Sequence, residues 1–223
     1  MLSIVVPTLN EAGTVQDLLL SLQPWRGASC EVIIVDGGSR DATVAQAAPL
    51  ADRILHSPPG RARQMNAGAD AARGTQLWFL HADSRVPAAA VPAVRAALAR
   101  SGWGRFDVTL SGAHPLFRVI ERAMNLRSRW SGIATGDQGL FVRREWFERA
   151  GGFPEIALME DVALSRRLKR LGRPACLRSV LGASSRRWER DGILRTVLLM
   201  WSLRLRYAIG ASPETLARRY RHG

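Results

Sequence analysis

The chain has 223 residues, 47% of them hydrophobic and 23% charged, a composition that supports one buried core with or without an appendage and excludes disorder and fibrous repeats. Its two cysteines, Cys30 and Cys176, exclude a disulfide framework and a cysteine-rich metal site. The formal net charge of +13 points to an anionic partner (nucleic acid, acidic lipid or a phosphorylated small molecule) or to a coding bias toward arginine, since Lys169 is the only lysine.

MLSIVVPTLNEA has no basic leader and carries Pro7 inside its apolar run, so a signal peptide is not expected. No uninterrupted apolar run approaches the roughly 18 residues of a membrane span. LSIVV (2–6), EVIIVD (31–36) and QLWFLHAD (76–83) are short apolar runs suited to strands buried on both faces, with RILHS (53–57) as a further short strand. Between them, TVQDLLLSLQPW, DATVAQAA and RARQMNAGADAARG read as helices, the first with Val15, Leu18, Leu19 and Leu22 at helical spacing.

The second half is less regular. Residues 87–101 and 114–131 read as helices, GLFVRR (139–144) as a strand, and EWFERAGGF as a short helix ended by Gly151 and Gly152. EDVALSRRLKRLGRP is a helix that is acidic at its start and basic at its end; CLRSV follows as a strand. Residues 190–209 form a long apolar helix, and SPETLARRYR opens a last one. The βαβα alternation predicts an α/β fold, an open and mostly parallel sheet flanked by helices. Residues 1–189 are expected as the working domain and 190–223 as a helical extension packed on it, on a membrane or on a partner.

Ligands of such sheets bind at the carboxyl ends of the strands. The residues there are PTLNE (7–11), DGGSRDAT (36–43) and HADS (81–84). Neither G-x-G-x-x-G after the first strand nor a Walker loop occurs. Thr8 and Glu11 have the spacing of a capping box, which needs no ligand. Asp36 is harder to dismiss, because a carboxylate ending an apolar strand is costly without a partner, and a base or ribose hydroxyl would serve. Asp83 is either a turn residue or a ligand for Mg²⁺ or Mn²⁺, hard cations that also bridge to phosphates. His81 lies on the same side of an extended chain and either joins that site or packs.

SIVVPTLNE, VIIVDGGSRDAT, GRARQMNAGADAARGTQLWFLHADS, GLFVRREWFERAGGFPE and MEDVALSRRLKRLG, in that order, resemble the family 2 glycosyltransferases of the A-type nucleotide-diphospho-sugar transferase fold. The resemblance covers roughly residues 2–190. FLHADS, SSRRWER and SPETLARRY are similar to a smaller branch associated with arsenosugar biosynthesis. The resemblance implies that Pro7, Thr8, Asn10 and Glu11 line a nucleoside pocket, that Asp36 contacts uracil or ribose, and that Arg61 faces base or phosphates. It places Asp83 at the end of the family's D-x-D metal motif, with His81 departing from the usual Asp at its start. Gly136, Asp137 and Gln138 would approach sugar or acceptor. Asp161 stands at the catalytic base, beside Glu160; by its position alone the pair would equally serve the helix dipole. SSRRW departs from the Q/R-x-x-R-W motif of processive members at Ser184, which argues against polymer synthesis and leaves Arg187 and Trp188 as diphosphate or acceptor contacts.

The implied activity is metal-assisted transfer of a sugar from a nucleoside-diphosphate sugar, a UDP-sugar first, to an acceptor hydroxyl, with inversion and a carboxylate base. The rival readings are a basic nucleic-acid-binding protein, which lacks any of the usual signatures, and a sugar-phosphate nucleotidyltransferase, which would need a Gly-rich loop after the first strand. A cytoplasmic location is expected. In residues 193–209, Leu194, Val197, Leu198, Trp201 and Leu205 share a helical face beside Arg195, Arg204 and Arg206, which suits peripheral contact with the cytoplasmic face of a membrane, or packing on the core or in an oligomer.

Overall fold

The computed structural model describes residues 1–27 and 30–222. Strands β1 (Leu2–Thr8) and β2 (Cys30–Asp36) are buried along almost their whole length. Runs of Val and Ile with no polar face are stable only in a sheet covered on both sides. The two strands pair in parallel from Leu2 opposite Cys30 to Thr8 opposite Asp36. β3 (Arg53–His56) extends the sheet beyond β2, and β4 (Gln76–Phe79) joins the other side of β1, both in parallel. The chain thus reverses its direction of travel between β1 and β4, and the crevice of an open α/β sheet lies at such a reversal.

The remaining strands are β5 (Trp103–Leu110), β6 (Phe141–Arg143) and β7 (Ala175–Ala183), giving the order β3-β2-β1-β4-β6-β5-β7. β6 runs antiparallel to both its neighbours, while β7 is parallel to β5. The helices are α1 (Val15–Leu22), α2 (Thr43–Ala47), α3 (Arg61–Ala71), α4 (Ala90–Arg100), α5 (Pro115–Ser131), α6 (Arg144–Arg149), α7 (Glu160–Leu171), α8 (Arg186–Asp191), α9 (Ile193–Ala208) and α10 (Pro213–His222).

Strand alternation divides the core into two layers. Ile4, Val6, Val32, Ile34 and Trp78 point to the side covered by α1 and α4. Val5, Ile33, Val35, Leu77 and Phe79 point to the side covered by α3, α6 and α7. A third, smaller cluster joins Leu203 of α9 and Leu216 of α10 to Met159 and Val162 at the start of α7. No helix among the described residues is long and apolar enough to cross a membrane.

The expected mostly parallel sheet is present, with local differences. The strand read over 76–83 ends at Phe79, because the chain turns at His81, whose carbonyl accepts from the Ser84 amide. Thr8 is the last residue of β1 and not a helix cap, and Glu11 instead accepts a hydrogen bond from Thr14. The helix read over 190–209 breaks at Gly192, whose φ of 89° no helix accommodates. Strand β5 was not expected at all. Its sequence puts Arg105 in the middle of a strand, where the fully buried guanidinium is matched by Asp107 and by the carbonyls of Phe106 and Asn125.

Helix α3 approaches the sheet through Gly68, where an added Cβ would stand 2.3 Å from a Val5 methyl. Gly68→Ala should therefore destabilise, by the roughly 1–3 kcal/mol typical of overpacking, against a helix-propensity gain of about 1 kcal/mol. A thermal melt checks this: the expected midpoint is below wild type, and a higher one would mean that the contact relaxes freely.

Candidate active site

The carboxyl edge of β1 and β2 is organised by Asp36. Its Oδ2 accepts hydrogen bonds from the Gly38 and Ser39 amides, each at 2.9 Å, and its Oδ1 accepts from the hydroxyls of Ser39 and Thr8. Burial pushes this carboxyl up, but the Ser39, Gly38 and Thr8 hydrogen bonds outweigh burial and hold it below its ordinary value. The loop so fixed clasps the one after β1. The Asn10 amide donates to Ser39 Oγ, the Arg40 amide to Asn10 Oδ1, and the Glu11 amide to Thr43 Oγ1 at 2.7 Å. Asn10 itself sits at a φ of 56°, a conformation asparagine tolerates better than most residues.

Beneath these loops lies Gln64 of α3, buried, its Nε2 donating to the carbonyls of Thr8 and Val35 at 2.8 Å each. It ties the ends of β1 and β2 together, so Gln64 is a positioning residue that sequence reasoning missed. Its only sequence signal is a polar residue on the core-facing side of α3. Arg61, the first residue of the same helix, is exposed and electrostatically close to both His81 and Asp137.

Across the crevice, a turn at Gly136–Gln138 meets the start of α7. The Gly136 amide donates to Asp161 Oδ2 at 2.8 Å, and the Val162 amide to Asp161 Oδ1 at 2.7 Å. A Cβ on Gly136 would lie 2.6 Å from His81 Nε2 and 3.8 Å from Asp161 Oδ2, so His81, Gly136 and Asp161 are immediate neighbours. Desolvation first, then the Glu160 charge, raises the Asp161 carboxyl to about 7. Desolvation, aided by Arg61, lowers His81 to about 3, so the imidazole is neutral at physiological pH. Asp137 is raised by burial, offset in part by Thr135 and Arg127. Asp137 Oδ1, Gln138 Nε2 and Arg127 Nη1 are buried without a hydrogen-bond partner among the described residues.

Asp83 connects the two halves. Arg186 Nη2 lies 3.6 Å from Asp83 Oδ2 and 3.8 Å from Glu11 Oε2, so positive charge is already favoured between these carboxylates. Among the described residues no cluster of three or more His, Cys, Asp or Glu side chains could cage a metal. The single partly exposed carboxylate of Asp83 nonetheless suits Mg²⁺ or Mn²⁺, which are commonly held by one or two carboxylates plus substrate phosphates.

Residues 3–144 match the model of glycosyl transferase family 2. The chain belongs to that family. A PGL/p-HBAD biosynthesis glycosyltransferase of Mycobacterium bovis is 35% identical over 153 residues, covering 64% of this chain and 55% of that protein. An uncharacterized protein of Mycobacterium tuberculosis is 32% identical over 91 residues, 39% of this chain and 28% of its own length. The chain thus spans about half or less of the curated relatives it matches. Among solved structures, residues 1–349 of TarS from S. aureus superpose with a TM-score of 0.67 at 18% identity, over 82% of this chain and 60% of that one. The mannosyltransferase PcManGT from Pyrobaculum calidifontis, solved with GDP-Man and Mn²⁺, gives 0.64 at 21% identity over 82% and 56%. Glucosyl-3-phosphoglycerate synthase from Mycobacterium tuberculosis, with Mn²⁺ and UDP, gives 0.59 at 24% identity over 82% and 70%. These likenesses show a common fold, an open α/β sheet shared with those transferases.

The sequence-derived candidates fall into two sets in this family member. Thr8, Asn10, Glu11 and Asp36 share the β1–β2 edge with Pro7, which is half-buried within β1. His81, Gly136 and Asp161 meet in the second set, with Glu160 buried and Asp137 and Gln138 in the adjoining turn. Arg187 is turned away: its guanidinium lies 3.7 Å from the centre of the Tyr220 ring, and Nη2 donates to the Tyr220 carbonyl. Arg186 reaches the crevice in its place. Trp188 is half-buried on α8.

The raised Asp161 value has a stability consequence. Between the ordinary carboxylate value and about 7 the unfolded chain has lost this proton while the folded chain keeps it, so this group's contribution to stability is lost as pH rises through that window. Asp161→Asn removes the effect. Urea midpoints should show the variant gaining on wild type from pH 4.5 to pH 7 and holding a constant lead above; a pH-independent difference would mean that Asp161 titrates normally.

Proposed function

We propose that this family 2 glycosyltransferase moves a sugar from a nucleoside-diphosphate sugar, a UDP-sugar first, to an acceptor hydroxyl by a single inverting displacement. The observation that carries the reading is Asp161. Its carboxylate is anchored by the Gly136 and Val162 amides, lies beside His81, and is raised to about 7. A hydroxyl is a poor nucleophile until its proton is accepted, and a base serves best when its pKa lies near the working pH. Asp161 takes that proton as the acceptor oxygen attacks the anomeric carbon from the face opposite the diphosphate. One attack and one departure invert the configuration.

Glu160 acts through Asp161, because its charge contributes to keeping the base from ionising too early. Gly136, having no side chain, lets its backbone lie against His81 while its amide holds Asp161. Pro7, Thr8, Asn10 and Glu11 form the floor of the nucleoside pocket. Asp36 works at one remove: with both oxygens engaged by its own loop, it fixes the backbone that meets the nucleoside. Arg61 and Arg186 balance the charge that builds on the departing diphosphate. Asp137, Gln138 and Arg127 hold buried polar atoms that a sugar or acceptor hydroxyl would satisfy. A divalent cation held by Asp83 would supply Lewis-acid stabilisation of the same diphosphate. The structural neighbours solved with GDP-Man or UDP together with Mn²⁺ support that assignment. Residues 1–189 would carry the whole of this machinery, with 190–223 as an extension.

Two substitutions separate the roles. Asp161→Asn should lower kcat by roughly 10²–10⁴-fold while leaving UDP affinity within about twofold. The wild-type rate should rise with pH to a plateau above about 7, and this limb should vanish in the variant. Glu160→Gln should retain most of the turnover and shift the limb to lower pH. Equal losses in both variants would reduce the pair to helix-start electrostatics. Asp83→Ala should abolish the Mn²⁺-dependent part of UDP binding measured by calorimetry; unchanged affinity and metal dependence would leave Asp83 a turn residue.

A further inference from the structure

Helix α9 is seated by one face only. Thr196 and Leu203 are buried, and Leu203 packs with Leu199 and Tyr207 against Met159 and Val162 at the start of α7. On the opposite face Leu194, Leu198, Trp201 and Leu205, with Ile209 just beyond the helix, are each between 65% and 76% exposed. At about 100° per residue these five fall within an arc of roughly 80°. Arg195 and Arg206 border the arc on one side and Arg204 on the other, and α9 contains no Asp or Glu. Val197, expected on this face from the sequence, is half-buried at its edge, and Ile209 extends the stripe instead.

We propose that this stripe docks the protein onto an anionic lipid bilayer, with α9 lying in the plane of the surface. The side chains match that environment on three counts. A continuous row of Leu, Trp and Ile enters the acyl boundary, Trp201 sits at its centre where an indole favours the interface, and arginines on both flanks reach the headgroup phosphates. The helix has 16 residues and so spans about 24 Å, short of the roughly 30 Å hydrocarbon core, which fits lying on a membrane and not crossing it. A second copy of the chain suits the stripe poorly. Two such faces in contact would bring arginine borders together with no acidic residue on either helix to receive them, and the nearest acid along the chain, Asp191, is already paired with Arg187 and Arg190. An anionic bilayer meets that charge directly. Because the buried face of α9 packs on Val162, next to Asp161, docking would bring the Asp161 side of the crevice close to the lipid surface.

The test is flotation of the full chain with phosphatidylcholine vesicles containing about a third phosphatidylserine, against vesicles of phosphatidylcholine alone. Wild type should float with the anionic vesicles at least about tenfold more than with the neutral ones. Leu198→Ser combined with Trp201→Ser alters only exposed side chains, so its thermal midpoint should match wild type while flotation is lost. Arg195→Glu with Arg206→Glu should abolish the preference for anionic vesicles. UDP binding should be unchanged in both variants, so the result is independent of the sugar-transfer reading. Wild type remaining at the bottom of the gradient, or the serine variant floating as wild type does, would overturn the proposal. So would a vesicle-free dimer in sedimentation equilibrium that the serine variant dissociates, which would make the stripe a contact between copies.

Discussion

A carboxylate at the end of a buried strand has to be hydrogen-bonded on every side it presents, and at Asp36 that requirement shapes half of the crevice. Two amides and two hydroxyls converge on it, and the loop that supplies all of them but the Thr8 hydroxyl is thereby folded back over the strand. The same loop then grips the segment after β1 through Ser39, Arg40 and Thr43. Gln64 completes the arrangement from below by donating to the Thr8 and Val35 carbonyls, near the ends of two neighbouring strands. Rigid backbone in this place is what the proposed nucleoside pocket requires, since discrimination between bases depends on donors and acceptors that do not move.

Asp161 shows the opposite balance with the same side chain. It receives two amides where Asp36 receives two amides and two hydroxyls, and it has the like charge of Glu160 beside it. Desolvation therefore prevails and the carboxyl is driven upward, while at Asp36 hydrogen bonding prevails and the carboxyl is driven down. The crevice thus holds one aspartate fixed in its ionised form and another that exchanges its proton near neutrality. Such separation of two like groups by their surroundings lets one cleft hold both a fixed charge and a group that gains and loses its proton.

The parallel half of the sheet was legible because its strands are short apolar runs, rich in Val and Ile in β1 and β2, that end in polar residues. That pattern has few structural solutions. Asp36 and the loops that carry Asp83 and Asn10 were found for the same reason: they end or follow such runs. β5 escaped because periodicity arguments treat Arg105 and Asp107 as solvent-facing, whereas the fold buries the arginine by matching its charge locally. Arg186 and Arg187 could not be told apart from sequence, since neighbouring residues on a short helix point about 100° apart and only the position of Tyr220 decides which one enters the crevice. Gln64 was invisible because a polar residue on a helix is ordinarily assigned to its exposed face.

The insertion of β6 between β4 and β5 has a consequence for synthesis on the ribosome. β1 to β4 are complete by Phe79, and all four pair in parallel with partners close by in the chain. The free edge of β4 is closed only by Phe141–Arg143, more than sixty residues later. A nascent chain of intermediate length therefore presents Leu77 and Trp78 on an open strand edge, the kind of surface that recruits other strands. Pausing of translation between β4 and β6 would prolong that exposure, whereas pausing after β6 would not. The interval from Leu80 to Leu140 is thus where delayed elongation would put this chain at greatest hazard of joining a neighbour before it has closed on itself.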